Sequence, residues 1–253
     1  MTMERPFIME SSLSTAITNT TSSSPKRIYA GLQQIRTIFK SLVRGARQSG
    51  NIDLCANFEE YSQLQDSFEY NVASNLVTTI ERMLTSADTI QHLPFAIDLL
   101  RGSLLLHQPS RRIFATENNM GLFIKLLGTP QAVDVTIRAL VACLLREVPN
   151  IRLFEHMGGL ATICTLFKRK ETPKDVKLKI LEFLFFYLIP ETQTRQNVDK
   201  SKTLYRQTMS RDNVYRLTTE DKQIMLGKYL SNVNGLVREL HESKPFGDMI
   251  LEW

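Results

Sequence analysis

The sequence predicts an all-α protein built as an armadillo- or HEAT-like helical-repeat solenoid. Within residues 93–190, three segments each carry an amphipathic helix pattern that runs into a proline, and these prolines (Pro109, Pro149 and Pro190) are 40 and 41 residues apart. A period near 40 residues, with two or three helices per unit, is typical of armadillo and HEAT repeats. Two tripeptides also recur at an interval of 40 residues: Arg112-Ile113-Phe114 and Arg152-Leu153-Phe154.

Composition predicts a folded protein of the soluble intracellular class. The 253 residues are 43% hydrophobic and 23% charged, which are ordinary globular values, and the net charge of +5 favours acidic partners or nucleic acid only weakly. Cys55, Cys143 and Cys164 form no CxxC pair, which fits a reducing compartment. The longest apolar run, 180–189, is shorter than the roughly 20 residues that span a bilayer, and the N-terminus shows no secretory signal.

Residues 1–24 are rich in serine and threonine and show no periodicity, which predicts a disordered arm. Ser24-Pro25 ends this arm, and two interpretations stay open. Serine followed by proline is typical of a helix start. The same residues, followed by Lys26 and Arg27, form a candidate proline-directed phosphorylation site at Ser24.

Residues 25–192 form the predicted armadillo-like domain. An apolar stripe at positions 28, 32, 35, 38 and 42 predicts a first helix that breaks at Gly50, and the spacing over 54–83 predicts one long helix or two in series. Thr129-Pro130 and Thr172-Pro173 are expected to cap the long helices of the repeats. Glycines are expected at tight corners, and small residues are expected where helices cross closely. The corner positions are Gly121 and Gly158-Gly159, and the small crossing residues are Gly102, Ser103, Ala142 and Cys143.

Two further segments complete the predicted organisation. Residues 193–217 are a basic connector, interpreted as a solvated linker with a docking patch as the alternative. Residues 218–253 are predicted to form a C-terminal capping helix and a tail, because capping hydroxyls and acids at 218–221 precede a heptad-like apolar seam. This helix is expected to pack back on the solenoid, with groove binding or a coiled coil as the alternative.

No catalytic constellation is recognisable in the sequence. It contains no GxSxG, no GxxxxGK[ST] and no HExxH, and its four histidines are scattered. Cys143 and Cys164 lie on apolar helix faces, where an inert buried thiol is expected. We therefore expect a protein that is not an enzyme, with no catalytic residue, cofactor, metal site or small-molecule substrate.

A candidate partner-binding surface follows from the repeat register. The segment Ala139 to Cys143, "ALVAC", resembles the core of an armadillo third helix, which lines the concave surface in that fold. Positions at i, i+3 and i+7 of each such helix share one face, and here they mix charges with Leu and Phe, which favours a protein partner over a phosphate backbone. For Leu145 and Phe186, a place in the core is the alternative. The predicted contact residues are Asp98, Arg101, Arg138, Val141, Leu145, Lys179, Glu182 and Phe186.

Two phrases carry a resemblance to a known family. They are "VKLKILEFLFFYLIPET" at 176–192 and "TTEDKQIMLGKYLSNVNGLVRELHESKPFG" at 218–247. They resemble the fungal cell division control protein 14 family, the septation initiation network component rather than the phosphatase of the same name. The resemblance implies a non-catalytic partner of a germinal-centre-type Ser/Thr protein kinase. It also implies action in the cytoplasm and at the spindle pole body, where the pair promotes septum formation and cytokinesis.

Two other functions stay open from the residues themselves. The basic balance and the connector suggest a helical-repeat protein that binds nucleic acid, although the repeats lack exposed stacking aromatics. A membrane-surface module is the least favoured, because the helix predicted over 218–241 carries acids at both ends.

Overall fold

The computed structural model describes residues 9–51, 56–191 and 216–243. Within these ranges the chain is all-helical and contains no β-strand, which confirms the all-α part of the predicted fold class. None of the described helices is long and apolar enough to cross a membrane. The α-helices are α1 Met9–Thr20, α2 Pro25–Ser49, α3 Ala56–Gln65, α4 Val72–Leu84, α5 Leu93–Leu106, α6 Glu117–Leu127, α7 Val133–Leu144, α8 Val148–His156, α9 Gly159–Lys168, α10 Lys174–Leu188, α11 Thr219–Gly227 and α12 Val233–Ser243.

The chain divides into two compact units, Met1–Cys143 and Leu144–Trp253. Along the chain, a long helix followed by two shorter helical segments occurs twice, first from α5 through a 3₁₀ helix at Gln108–Phe114 to α6, and then from α7 to α9. This order agrees with the repeat seen in the sequence. The stacking of the repeats into a solenoid stays a prediction.

Residues 9–20 are helical, although their composition predicts a disordered arm; residues 1–8 of that arm lie outside the described residues. Met9, Leu13 and Ala16 are spaced by four and three residues and are fully buried in α1, which packs along α2. The close approach depends on Gly31 of α2, since a Cβ there would lie only 2.8 Å from the carbonyl oxygen of Ala16. Three apolar side chains on one face are thus enough to fold a segment whose remaining residues are mostly polar.

The helices α2, α3 and α4 follow the predicted pattern. The expected stripe of α2 is buried, and the helix ends at Gly50 with a left-handed φ of 73°. The segment after it forms two helices in series, α3 and α4, which was one of the two predicted arrangements. Cys55 lies outside the described residues.

Several predicted helix boundaries in the repeats need correction. Gly121 lies inside α6, not at a corner. Thr129 and Thr172 do not cap the following helices, because their hydroxyls donate instead to the carbonyl oxygens of Lys125 and Leu166 in the preceding helices. The corner expected between α8 and α9 is confirmed by the left-handed φ of 77° at Gly158.

The C-terminal region contains two helices where one was predicted. Helix α11 begins with a capping box between Thr218 and Asp221, as the sequence indicated. It ends because the Lys228 and Tyr229 N–H groups turn back to the carbonyls three residues earlier, and Gly227 with the polar residues 231–232 disfavours continuation. Both α11 and α12 pack on α10. The basic connector lies outside the described residues up to position 215.

Candidate protein-binding surface

A groove in the first unit runs between α2 and α5. Its volume is about 570 Å³, and five of its lining side chains are basic while one is acidic. Apolar atoms form part of its floor. The lining residues are Arg36, Phe39, Lys40, Val43, Arg44, Arg47, Asp98, Leu99, Arg101 and Gly102.

The periodicity of α2 explains this arrangement. Its four basic residues of the groove occur at intervals of four, four and three, so they share one face of the helix. Phe39 is buried on the adjoining face, whereas Val43 is 41% exposed and leaves an apolar patch between the charges. The two helices approach closely because Gly102 has no side chain, since a Cβ there would lie 3.1 Å from the Phe39 ring. This confirms the expectation of a small residue at position 102.

Most of the positive charge in the groove has no carboxylate partner among the residues that the structure describes. Arg101 Nε donates to Asp98 Oδ1 at 3.0 Å, which neutralises one cation. Arg36 lies over the Phe95 ring, 5.5 Å from its centre. The other three basic residues have no carboxylate within 4 Å in the described part of the chain. The groove therefore presents a strong positive potential over a partly apolar floor.

The groove brings together only two of the eight predicted contact residues, Asp98 and Arg101. On α7, Arg138 donates to Asp134 at 2.7 Å, and Val141 is half-buried. The remaining four residues (Leu145, Lys179, Glu182 and Phe186) belong to the second unit.

Within that second unit, Lys179 pairs with Glu182 at 2.7 Å on the surface of α10, and Leu145 is half-buried. The expected exposure of Phe186 is wrong. Only 6% of Phe186 is accessible to solvent, because the residues of α10 from Phe183 to its end are buried. The rings of Phe183 and Phe186 lie 6.1 Å apart. The alternative interpretation, a core position, fits Phe186.

A buried ionic cluster in the second unit was not found from the sequence. It joins α8, α10 and α11: Arg152 binds both Glu155 and Glu191, and Lys222 Nζ lies 3.1 Å from Glu191 Oε1. Tyr187 donates to Glu155 at 2.7 Å. The sequence signal for this cluster is a charged residue within an apolar stripe, since Lys222 stands four residues before Leu226, which is buried.

Burial dominates the electrostatics of this cluster. It lowers the pKa of Lys222, against the attraction of Glu191, and it raises the pKa of the Glu155 carboxyl despite the Tyr187 hydrogen bond. Each charged group has a partner, and the cluster fastens the first turn of α11 to the end of α10. The cluster therefore has a structural role.

Ser24 occupies the N-cap position of α2, which confirms the predicted helix start. Its side chain makes no capping hydrogen bond, and it is half-buried beside the exposed Lys26 and Arg27. Arg82 Nη2 holds the turn just before it by donating to the Ser22 carbonyl at 2.6 Å. Phosphorylation of Ser24 stays a prediction, which tandem mass spectrometry of the peptide that contains Ser24, from protein of dividing cells, checks directly.

Groups suited to metal binding or nucleophilic chemistry do not cluster in the described ranges. There, no three His, Cys, Asp or Glu side chains are placed to hold a metal ion. Cys143 and Cys164 are buried, and burial raises the pKa of the Cys164 thiol to about 11, so this thiol is protonated near neutral pH.

The comparisons with known proteins agree with the resemblance stated from the sequence. The family described as "Cell division control protein 14, SIN component" matches residues 44–246. The chain is also 31% identical over 255 residues to "Cell division control protein 14" of Schizosaccharomyces pombe, which covers 95% of this chain and 98% of that protein. The chain belongs to this family. No solved structure matches it.

Membership of the SIN-component family confirms the resemblance and places the chain in a family of cell-division proteins of the septation pathway. The range that matches the SIN-component family includes Arg44, Arg47, Asp98 and Arg101 of the groove. It also includes the whole buried cluster that fastens α11.

Proposed function

We propose that this protein is a non-catalytic scaffold that binds a germinal-centre-type Ser/Thr protein kinase of the septation initiation network. In this role it promotes septum formation and cytokinesis, in the cytoplasm and at the spindle pole body. The observation that carries the proposal is membership, over most of the chain, of a family described as a SIN component. A pathway component works through other proteins, so a protein-binding surface is the feature to look for.

The exposed charges of α5 and α7 are the proposed contact surface in the first unit. Asp98, Arg101 and Arg138 are half-exposed and take part in pairs within their own helices, Asp98 with Arg101 and Arg138 with Asp134. Such pairs contribute little to folding, about 0.2–1 kcal/mol, so their members are available to a partner. Lys179 and Glu182 offer the same kind of pair on α10 of the second unit.

The experiment is quantitative affinity purification of the full-length protein from dividing cells, with mass spectrometry of what it retains. We expect a germinal-centre-type kinase among the enriched proteins. Failure to enrich any such kinase, while the bait is folded and abundant, contradicts the proposed function.

A paired variant then tests the contact surface. Arg101→Glu with Arg138→Glu should reduce the recovered kinase several-fold, because each change places a second carboxylate beside Asp98 or Asp134 and repels an acidic partner. The thermal midpoint should change little. A matched control is Arg112→Glu with Lys125→Glu, two exposed cations of the same unit. Equal losses in both pairs would assign the effect to net charge and remove the surface from the proposal.

The exposed cations of the groove also suggest a second candidate function, binding of nucleic acid. Contact of three phosphates with these cations predicts an affinity that falls roughly 20- to 40-fold between 50 and 200 mM salt. Filter binding with generic RNA and DNA over that range checks it. Salt-insensitive or absent retention excludes this function.

A further inference from the structure

We propose that the groove between α2 and α5 is the docking site for a short, acidic linear segment of a protein partner. This deepens the proposed function, and it rests on that function only for the identity of the partner. The segment fits as an extended strand of acidic residues with an apolar side chain near its middle.

The charges of the groove fit an acidic segment. In the described part of the chain, three cations of α2 that line the groove have no carboxylate partner. These are Lys40, Arg44 and Arg47, and they form one row. Like charges held at a spacing of three or four residues on a helix repel one another, so this row carries a cost in the free protein. A row of carboxylates laid along it would remove that repulsion and replace it with charge-assisted hydrogen bonds.

The dimensions of the groove fit a short extended peptide. Arg36 and Arg47 are the first and last basic residues of α2 in the groove and are eleven residues apart, so this basic face is about 16 Å long at 1.5 Å per residue. An extended peptide covers that length with about five residues. Between the charges, Val43 is 41% exposed and Leu99 and Phe39 complete the floor, which suits one apolar side chain of the segment.

The composition of the groove favours a peptide over a nucleic acid. A single strand would need exposed aromatic faces on which bases stack, whereas Phe39 is only 8% exposed. On the opposite wall the Asp98 carboxylate can accept a backbone N–H, a donor that a peptide has and a phosphate group lacks. The exposed Val43 at the centre of the groove offers no polar contact to a phosphate backbone.

Fluorescence anisotropy with the full-length protein tests the assignment. The probe is a labelled Glu-rich peptide with two central leucines, and the reference probe has Gln in place of each Glu. We expect the Glu peptide to bind and the Gln peptide to bind at least about tenfold more weakly. Lys40→Glu with Arg44→Glu should weaken the Glu peptide by about tenfold or more, while Arg112→Glu with Lys125→Glu leaves it within about twofold.

The outcomes separate clearly. No binding of the Glu peptide to the unchanged protein overturns the proposal, and so does an equal loss in the groove pair and the control pair. A labelled oligo-uridine that binds more tightly than the peptide, and is lost with the groove pair, reassigns the groove to nucleic acid. Both altered residues are exposed and have no carboxylate partner within the described ranges, so the groove pair should melt close to the unchanged protein, and circular dichroism checks this.

Failure of this inference and failure of the proposed function are distinguishable. If the Lys40→Glu, Arg44→Glu protein still retains the kinase fully in the affinity purification, the groove is not the docking site and the scaffold function stands. If the unchanged protein retains no kinase but binds the Glu peptide through the groove, the docking site stands and the partner is a different protein.

Discussion

His107 shows how a single buried side chain can make the first unit sensitive to pH. Its ring is 4% exposed and bonded at both nitrogens: Nδ1 lies 2.8 Å from Ser110 Oγ, and Nε2 lies 3.3 Å from Asp66 Oδ1. Ser110 Oγ already accepts a hydrogen bond from Asn71 Nδ2 at 2.8 Å. This network fits a neutral ring that carries its proton on Nε2 and accepts the Ser110 hydroxyl proton on Nδ1.

We expect the protein to lose stability on acidification because of this histidine. Burial lowers the pKa of His107 below its usual 6.5, and the nearby Asp66 carboxylate offsets only part of that effect. The unfolded chain therefore binds a proton at a higher pH than the folded chain. Stability is full above pH 6.5 and declines as the pH falls from 6.5 through the lowered pKa.

The check is urea unfolding at a series of pH values from neutral to mildly acidic. The variant His107→Gln should be less stable at neutral pH and show a weaker dependence on pH in this window. Parallel stability curves for the variant and the unchanged protein would contradict the assignment of the pH dependence to this ring.

Two N-cap residues of the first unit, Asn71 and Ser24, predict different costs for similar substitutions. Asn71 Oδ1 accepts from the Ser74 N–H at 2.9 Å, and its amide donates to the Gln65 carbonyl at 2.6 Å. Asn71→Ala should therefore cost about 2 kcal/mol or more, since a cap and buried hydrogen bonds are lost together. Ser24 makes no side-chain capping bond, so Ser24→Ala should cost less than about 0.5 kcal/mol. Urea denaturation of both variants compares them, and equal losses would contradict this assignment of caps.

At the scale of elements, the packing of α11 on α10 depends on a buried lysine. Lys222 is 1% exposed, and its ammonium donates to the Ile189 carbonyl at 2.7 Å besides pairing with Glu191. Lys222→Ala should cost about 3–5 kcal/mol, because it leaves buried carboxylate charge with one counterion fewer.

Hydrogen exchange should locate this cost in α11. Amides of Thr219–Gly227 should lose protection in the Lys222→Ala protein before those of α10 do. The control is Lys228→Ala, which removes an exposed cation from the next residue after the helix. If exchange in α11 is unchanged by Lys222→Ala, the ionic cluster does not hold this helix.

Sequence patterns predicted helices best where one face is strongly apolar. The stripe of α2 is visible in the sequence because its buried positions recur over about four turns, whereas α1 buries only three apolar side chains among serines and threonines. The break between α11 and α12 was hidden for the opposite reason. Leu226, Leu230 and Val233 are all buried, so the apolar spacing continues across a turn that is not helical.

The groove could be predicted only in part. Asp98 and Arg101 were expected on an exposed face of α5, but the basic row of α2 is indistinguishable in sequence from the solvated back of any amphipathic helix. This row lines a groove only because α2 packs beside α5, and the residues of the two helices are about 60 positions apart in the sequence. Phe186 is the opposite case. The repeat register predicts an exposed position, but it does not reveal that the last turns of α10 are buried.

At the scale of the whole molecule, the two compact units each have a buried core, which predicts separable local stabilities. Leu100 in α5 and Ile180 in α10 are both fully buried, and replacing either with alanine should cost about 2–5 kcal/mol. Because each side chain packs within its own unit's core, the loss of protection should concentrate in the unit that carries the change.

Hydrogen-exchange mass spectrometry of the full-length variants measures this directly. Leu100→Ala should raise exchange in α4 and α5, and Ile180→Ala should raise it in α10 and α11, with Leu178→Ala, at a half-exposed position, as the control. If either core variant raises exchange uniformly over all described helices, the chain unfolds as one cooperative body. The division into two units would then have no counterpart in its energetics.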